Sequence, residues 1–262
     1  MSTGPTTAFK PIEVMVVDDS AVVRQRLKAI IESDPRFRVV IASDPYEAVA
    51  LLRKSVPGVM LLDVEMPRMD GLTFLRKLMR QHPLPVVLCT DVAERAVTAL
   101  EMGALEVIAK PDWRDPGKME RWSQSLLESI RTAARAGHLP LRDDARFVGT
   151  EPAKLSADAI LPKAAYLGRG TSNERVIAVG TSTGGVQAIQ TLLRGFPADS
   201  PGIVIVQHMP PNFTAEFARR LDQDPLIPLE VAEARHQEPL RSGRALVIPG
   251  NIHGLVRRTG LG

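Results

Sequence analysis

Val14-Met15-Val16-Val17-Asp18-Asp19-Ser20 is an apolar run that breaks off abruptly into two carboxylates and a hydroxyl. A continuous apolar stretch of this length reads as a strand buried on both faces, and strands of that kind belong to parallel sheets. In such sheets the groups at the carboxyl ends of the strands face the ligand crevice. Working outward from it, short apolar runs alternate with amphipathic stretches from Ile12 to about Ala136. Strands are expected at 13–17, 38–41, 58–62, 85–89 and 106–109, with helices at 20–33, 45–54, 71–81, 92–102 and 118–136. That alternation predicts the α/β class, with a five-stranded parallel sheet over residues 12–136. The last helix would carry Met119, Trp122, Leu126 and Ile130 on one face, and Gly137 suits its C-terminal cap.

The same device returns at Val176-Ile177-Ala178-Val179, which runs into Gly180-Thr181-Ser182-Thr183-Gly184-Gly185. Between the two lies a stretch, 137–173, without strong periodicity and punctuated by Pro140, Gly149, Pro152, Pro162, Gly168 and Gly170, which reads as a linker. Residues 174–262 then read as the first part of a second doubly wound α/β domain. Its expected elements are a strand at 175–179, a helix at 184–194, a strand at 202–207, a helix near 213–221 and β segments at 229–231 and 245–248. So few elements are expected to bury little core.

The 262 residues are 44% hydrophobic and 24% charged, which is the balance of a globular protein rather than a disordered one. The longest apolar runs fall well short of the roughly 18 residues of a membrane span, and the first residues lack the apolar centre of a signal peptide. The expectation is a cytoplasmic protein without membrane insertion, working as a monomer. With 33 basic against 30 acidic residues the charge is nearly balanced. No basic recognition helix follows the first domain, so a DNA-binding regulator finds no support and no nucleic-acid partner is expected. Cys89 is the single cysteine, set in Val86-Val87-Leu88-Cys89, and reads as a small buried hydrophobe rather than a reactive thiol.

At the strand ends of the first sheet stand Asp18 and Asp19 (strand one), Asp63 (strand three), Thr90 (strand four) and Lys110 (strand five). Crowded carboxylates repel one another unless a cation is bound, and Mg²⁺ favours oxygen ligands completed by water and phosphate oxygens. A carboxylate beside it can attack a phosphoryl group, while Lys110 and the Thr90 hydroxyl hold the transferred oxygens. Asp18, Asp19 and Ser20 could singly be helix caps. The simultaneous supply of all these groups at strand ends is what capping does not explain. Together with Leu61-Leu62-Asp63-Val64-Glu65-Met66-Pro67-Arg68-Met69-Asp70-Gly71 and Lys110-Pro111, these residues resemble a response-regulator receiver domain. The resemblance implies that Asp63 accepts the phosphoryl group, that Asp18 and Asp19 help hold Mg²⁺, and that Glu65 offers its backbone carbonyl to the metal. It makes Thr90 the switch hydroxyl and Lys110 the phosphate-pairing lysine. Receivers often carry an aromatic residue three positions before the lysine, where this chain has Val107.

Gly180-Thr181-Ser182-Thr183-Gly184 fits G-x-S-x-G between a strand and a helix, the setting of a nucleophile elbow. The following helix N-terminus would favour an oxyanion, with Thr183 the oxyanion candidate. The alternative is a phosphate-binding or merely tight turn. His208 ends the next apolar strand, and adjacent parallel strands would bring it near Ser182 to accept its proton. His236 and His253, in polar surroundings, read as structural. The glycine-flanked serine, Gln207-His208-Met209-Pro210-Pro211-Asn212-Phe213-Thr214 and Val247-Ile248-Pro249-Gly250-Asn251-Ile252-His253 resemble the catalytic domain of chemotaxis methylesterases. A receiver joined to that domain is similar to the phosphorylation-activated protein-glutamate methylesterase family.

The resemblance implies hydrolysis of glutamate methyl esters on methyl-accepting chemotaxis receptors, deamidation of receptor glutamines, and phosphorylation by a chemotaxis histidine kinase. It implies Mg²⁺ for receiver phosphorylation and no cofactor for ester hydrolysis. Family members complete a Ser-His-Asp triad from a later loop, and no aspartate follows Asp224 here. The expectation is a C-terminally incomplete, catalytically impaired methylesterase, since disabling the triad acid costs on the order of 10⁴ in kcat in serine proteases. The rival reading is a non-catalytic phospho-switch that binds chemotaxis partners.

Overall fold

The computed structural model describes residues 10–67, 69–136 and 175–257. The expected linker, 137–173, lies outside the described residues.

The first sheet has five parallel strands in the order β2-β1-β3-β4-β5. They are β1 (Ile12–Val17), β2 (Phe37–Ala42), β3 (Val59–Asp63), β4 (Val86–Cys89) and β5 (Glu106–Ile108). Helices α1 (Ala21–Ile31), α2 (Pro45–Leu52), α3 (Gly71–Gln81), α4 (Ala93–Glu101) and α5 (Pro116–Ala136) connect and follow them. The central strands are apolar without alternation because both faces are covered. Met15, Val17, Met60, Leu62 and Leu88 pack on one face, and Val14, Val16, Leu61, Val87 and Cys89 on the other.

Local chemistry sets the helix starts. Ser20 accepts from Val23 N–H at 3.4 Å to cap α1, and Asp44 accepts from the N–H groups of Tyr46 and Glu47 at 2.9 Å, with Pro45 opening α2. Thus Ser20 is a helix cap, whereas Asp18 and Asp19 remain in the crevice. Helix α5 begins two residues before its expected start because Asp115 accepts from Gly117 and Lys118 N–H, ahead of the periodic apolar face that marked the helix in the sequence.

The second sheet is also parallel, with four strands in the order β6-β7-β9-β8. Its elements are β6 (Val176–Thr181), α6 (Gly185–Arg194), β7 (Gly202–Gln207), α7 (Pro211–Asp222), β8 (Glu230–Glu233) and β9 (Arg244–Val247). It buries more than the short sequence led one to expect, but unevenly. Ile203, Ile205, Phe213, Phe217 and Val247 are buried, whereas Val176 and Val206 are 48% and 51% exposed. Alternate residues of β6 and β7 therefore show opposite faces to core and solvent.

The two units pack together through α4, which lies against α6 and α7. The apolar cluster on the α3–α4 side of the receiver sheet is continuous with the core of the second sheet. Arg220 of α7 adds a polar clasp, donating to Glu101 Oε2 at 3.0 Å and Thr98 Oγ1 at 2.7 Å, and held on its own helix by Glu216 at 3.0 Å. Gln187 of α6 donates to the carbonyls of Leu100 and Glu101 at the end of α4.

Candidate functional site

At the carboxyl edge of the first sheet, the carboxylates of Asp18, Asp19 and Asp63 lie within 4.8 Å of one another. Asp18 and Asp63 are buried, and Asp19 is exposed. Burial raises the Asp18 carboxyl to about 6, partly offset by the Ser20 N–H it accepts at 2.8 Å and reinforced by the charge of Asp63. Burial also raises Asp63, against the pull of Lys110. Lys110 Nζ sits 3.0 Å from Asp63 Oδ1 and 3.5 Å from Glu65 Oε2. Burial works against the charge on this ammonium, but the Asp63 hydrogen bond and the two nearby carboxylates outweigh it and raise its pKa.

Backbone geometry fixes these groups. Asp63 Oδ1 accepts from Glu65 N–H at 3.2 Å, and Gly71 passes so close beneath β3 that a Cβ there would stand 2.4 Å from the Asp63 carbonyl oxygen. Thr90 is fully buried and its hydroxyl accepts from Val92 N–H at 3.2 Å. Asp91 holds the Lys110 N–H at 2.9 Å, and Trp122 Nε1 donates to Ala109 O at 2.8 Å, so the segment after β5 is tethered from both sides. The donor set, hard oxygen ligands with an uncompensated carboxyl raised by burial, suits Mg²⁺. The Glu65 side chain faces Lys110, so any part of Glu65 in holding the ion falls to its backbone carbonyl. Val107 is buried at 5% exposure, packed in the core rather than placed as a surface switch. Burial pushes the Cys89 thiol far up, in keeping with a core residue.

At the carboxyl edge of the second sheet, the pairing Thr181↔Gln207 puts Ser182 and His208 at the ends of neighbouring strands. His208 N–H donates to Thr181 O at 3.0 Å, and both side chains line one cleft. The elbow is tight: Gly184 adopts φ 75°, and Gly185 N–H returns to Ser182 O at 2.8 Å. A Cβ on Gly185 would fall 2.1 Å from Gln207 Oε1 and 2.7 Å from Thr181 Cβ. Gln207, which the sequence motif includes without a role, is the clamp of this turn. Its Oε1 accepts from Thr181 Oγ1 at 2.6 Å, while its Nε2 donates to Ser182 O at 2.9 Å and His208 O at 3.1 Å. A buried glutamine at the end of an apolar strand was the available signal.

Ser182 and His208 are exposed, and among the described residues their side chains are not hydrogen-bonded to each other. The carboxylate that approaches His208 comes from the first domain, with Glu106 Oε1 3.9 Å from Nδ1. Glu106 Oε2 also accepts from Thr183 Oγ1 at 3.3 Å, and the Leu105 carbonyl accepts from Gly184 N–H at 3.3 Å. Asp222 and Asp224 are committed elsewhere, to Val231 N–H and to Arg194 with Gln190. His236 and His253 lie in loops outside the cleft lining. Among the described residues no helix is long and apolar enough to cross a membrane.

Comparison with known proteins matches both halves. A sequence model of the response regulator receiver domain covers residues 14–116, and one of the CheB methylesterase covers residues 177–261. Protein-glutamate methylesterase/protein-glutamine glutaminase 5 of Anaeromyxobacter dehalogenans is 49% identical over 265 aligned positions, which take in 99% of this chain and 72% of that protein. Its namesake 3 from Geobacter metallireducens is 46% identical, over 96% of this chain and 71% of the relative. Among solved structures, the response regulator domain of Thermotoga maritima CheB matches at 36% identity with a TM-score of 0.44, covering 48% of this chain and 98% of that one. With the receiver and methylesterase models matched in order and nearly the whole chain aligned, the chain belongs to the protein-glutamate methylesterase/protein-glutamine glutaminase family, whose members join a receiver to a methylesterase domain.

Proposed function

We propose that the protein is a phosphorylation-controlled carboxylic ester hydrolase that removes methyl groups from glutamyl esters of methyl-accepting chemotaxis receptors and deamidates receptor glutamines. It acts in the cytoplasm as a monomer, with residues 12–136 as the receiver, 137–173 as the linker and 174–262 as the N-terminal part of the methylesterase catalytic domain. The observation that carries this reading is the placement of Ser182 and His208 at the ends of paired strands, in a cleft walled on its other side by the receiver.

In the receiver, an Asp63 carboxylate oxygen attacks the phosphorus of the donor, a chemotaxis histidine kinase or acetyl phosphate, and the donor's bond to phosphorus breaks. Lys110 and the Thr90 hydroxyl bind oxygens of the transferred group. Asp18, Asp19, Asp63 and the Glu65 carbonyl are the residues that would hold Mg²⁺, which when bound supplies charge neutralisation for the incoming phosphoryl group. In the second domain, Ser182 Oγ attacks the ester carbonyl as His208 takes its proton. His208 then returns the proton to departing methanol, and water releases the glutamate from the acyl-enzyme. Thr183 and the start of α6 face the developing oxyanion. Hydrolysis needs no cofactor.

Turnover by these residues alone is slow in this reading, because the described carboxylate nearest the His208 ring lies beyond hydrogen-bond reach and belongs to the receiver. That same observation favours the second reading, a phospho-switch that binds chemotaxis partners without catalysis. The deciding experiment measures methanol release from methylated receptor membranes, with and without acetyl phosphate and Mg²⁺, beside Ser182→Ala. Release that depends on Ser182 and rises on phosphorylation upholds the esterase; phosphorylation without release upholds the switch.

A further inference from the structure

Glu106 stands out among the receiver residues that face the hydrolase cleft. It opens β5, a strand of three residues, and its carboxylate is held at both oxygens by different domains. Ser129 Oγ of α5 donates to Oε1 at 2.8 Å, and Thr183 Oγ1 of the nucleophile elbow donates to Oε2 at 3.3 Å. Oε1 also lies 3.9 Å from His208 Nδ1. The side chain is only 13% exposed, so the group has surrendered most of its water to this position. An anion is not placed this way against a cleft without donors to receive it. The donors here are the Ser129 hydroxyl and the hydroxyl next to the nucleophile, with an imidazole 3.9 Å away. One residue earlier, the Leu105 carbonyl accepts from Gly184 N–H at the start of α6, so the backbone before Glu106 is docked as well. Glu106, Ser182, Thr183 and His208 line the same cleft.

The chemistry of that occupant has a specific meaning under the esterase reading, on which this inference rests. Hydrolysis of a glutamyl methyl ester leaves a protein-bound glutamate carboxylate beside the serine, the histidine and the oxyanion donors. We propose that Glu106 is a tethered mimic of that product, with its carboxylate in the subsite that receives the γ-carboxyl of the demethylated receptor glutamate. Ser129 fixes its rotamer beforehand, so the entropy of ordering the group is not charged to the closed state. The receiver thereby competes with substrate for the catalytic pocket itself, and does more than stand in front of it. Strand β5 also links this group to the phosphorylation site, since Glu106 begins the strand and Lys110 follows its end, already paired with Asp63.

The test uses the whole 262-residue chain and Nα-acetyl-L-glutamate amide as a free product side chain, titrated by NMR into wild type, Glu106→Ala and Glu106→Gln. Vacating the subsite is expected to tighten binding at least about tenfold in Glu106→Ala. Glu106→Gln, which keeps the side chain's shape and its Ser129 contact, is expected to fall between Glu106→Ala and wild type. The gain should vanish when Thr183→Ala is added to Glu106→Ala, and Nα-acetyl-L-aspartate amide should bind more weakly than the glutamate probe. Equal affinity in all three proteins, including no binding by any, overturns the proposal, as does a gain that survives Thr183→Ala. Methanol release measured in parallel separates the two readings. Turnover without a Glu106-dependent difference in product binding removes the mimic alone. Glu106-dependent binding without turnover in the phosphorylated protein removes the esterase and leaves a glutamate-binding cleft.

Discussion

The two strand-end sites are built on one plan and finished to different degrees. In the receiver the buried reactive groups have partners within their own domain: Lys110 reaches Asp63 at 3.0 Å, Ser20 N–H supports Asp18 at 2.8 Å, and the Thr90 hydroxyl accepts from Val92 N–H at 3.2 Å. In the second sheet the backbone is equally tight, clamped by Gln207, yet Ser182 and His208 are exposed, and among the described residues the carboxylate near the histidine is the receiver's Glu106, 3.9 Å away. Parallel strand ends are thus sufficient to collect reactive groups, but orienting them takes further contacts from around the crevice.

The contrast can be broken first at the groups it treats as essential. Asp63→Asn should abolish phosphoryl uptake from acetyl phosphate, read by intact-protein mass, while the circular dichroism spectrum stays unchanged. Ser182→Ala should bring methanol release down to the uncatalysed background, a loss of at least about 10³-fold in kcat/KM if the serine is the nucleophile. Retention of release would move the chemistry elsewhere in the cleft. Gly185→Ala should lower stability by about 1–3 kcal/mol, since the new Cβ collides with Gln207 and Thr181, seen as a lower denaturant midpoint.

The pH response sharpens the comparison from the receiver side. Asp18 has a folded pKa of about 6 against an ordinary 3.8, so the folded protein binds this proton more tightly than the unfolded chain. Without metal, its contribution to stability is therefore greatest below 3.8 and declines as pH rises toward 6. Mg²⁺ needs the carboxylate, so Mg²⁺ affinity should hold above about pH 6 and fall by up to about tenfold per pH unit below it. A flat Mg²⁺ titration between pH 5 and pH 7 would contradict this assignment. The smallest effect is expected at the clasp, where Arg220→Ala should weaken domain packing by about 1 kcal/mol and raise hydrogen exchange in α4 roughly fivefold.

The sequence made the first sheet legible almost to the residue because its strands are apolar on both faces and its helices carry explicit caps, such as Asp44 before Pro45. Asp18, Asp63, Thr90, Lys110, Ser182 and His208 were legible by the same rule, as polar residues that interrupt apolar strands. Gln207 was hidden because a glutamine at a strand end reads as ordinary solvation until Gly185 is seen pressed against it. Glu106 and Arg220 were hidden for a deeper reason. Their partners, Thr183 and Glu101, belong to the other domain, and no local periodicity records a contact between elements so far apart in the chain.

The short strand that begins at Glu106 and leads to Lys110 carries an obligation that runs both ways. If loading Asp63 with phosphate draws Glu106 out of the cleft, then by thermodynamic linkage whatever fills the cleft in its place must favour the loaded receiver by the same factor. Whatever ligand the second sheet's cleft holds would then be an allosteric effector of the receiver, raising the affinity of Asp63's site for the phosphorylated state as much as phosphorylation opens the cleft to it.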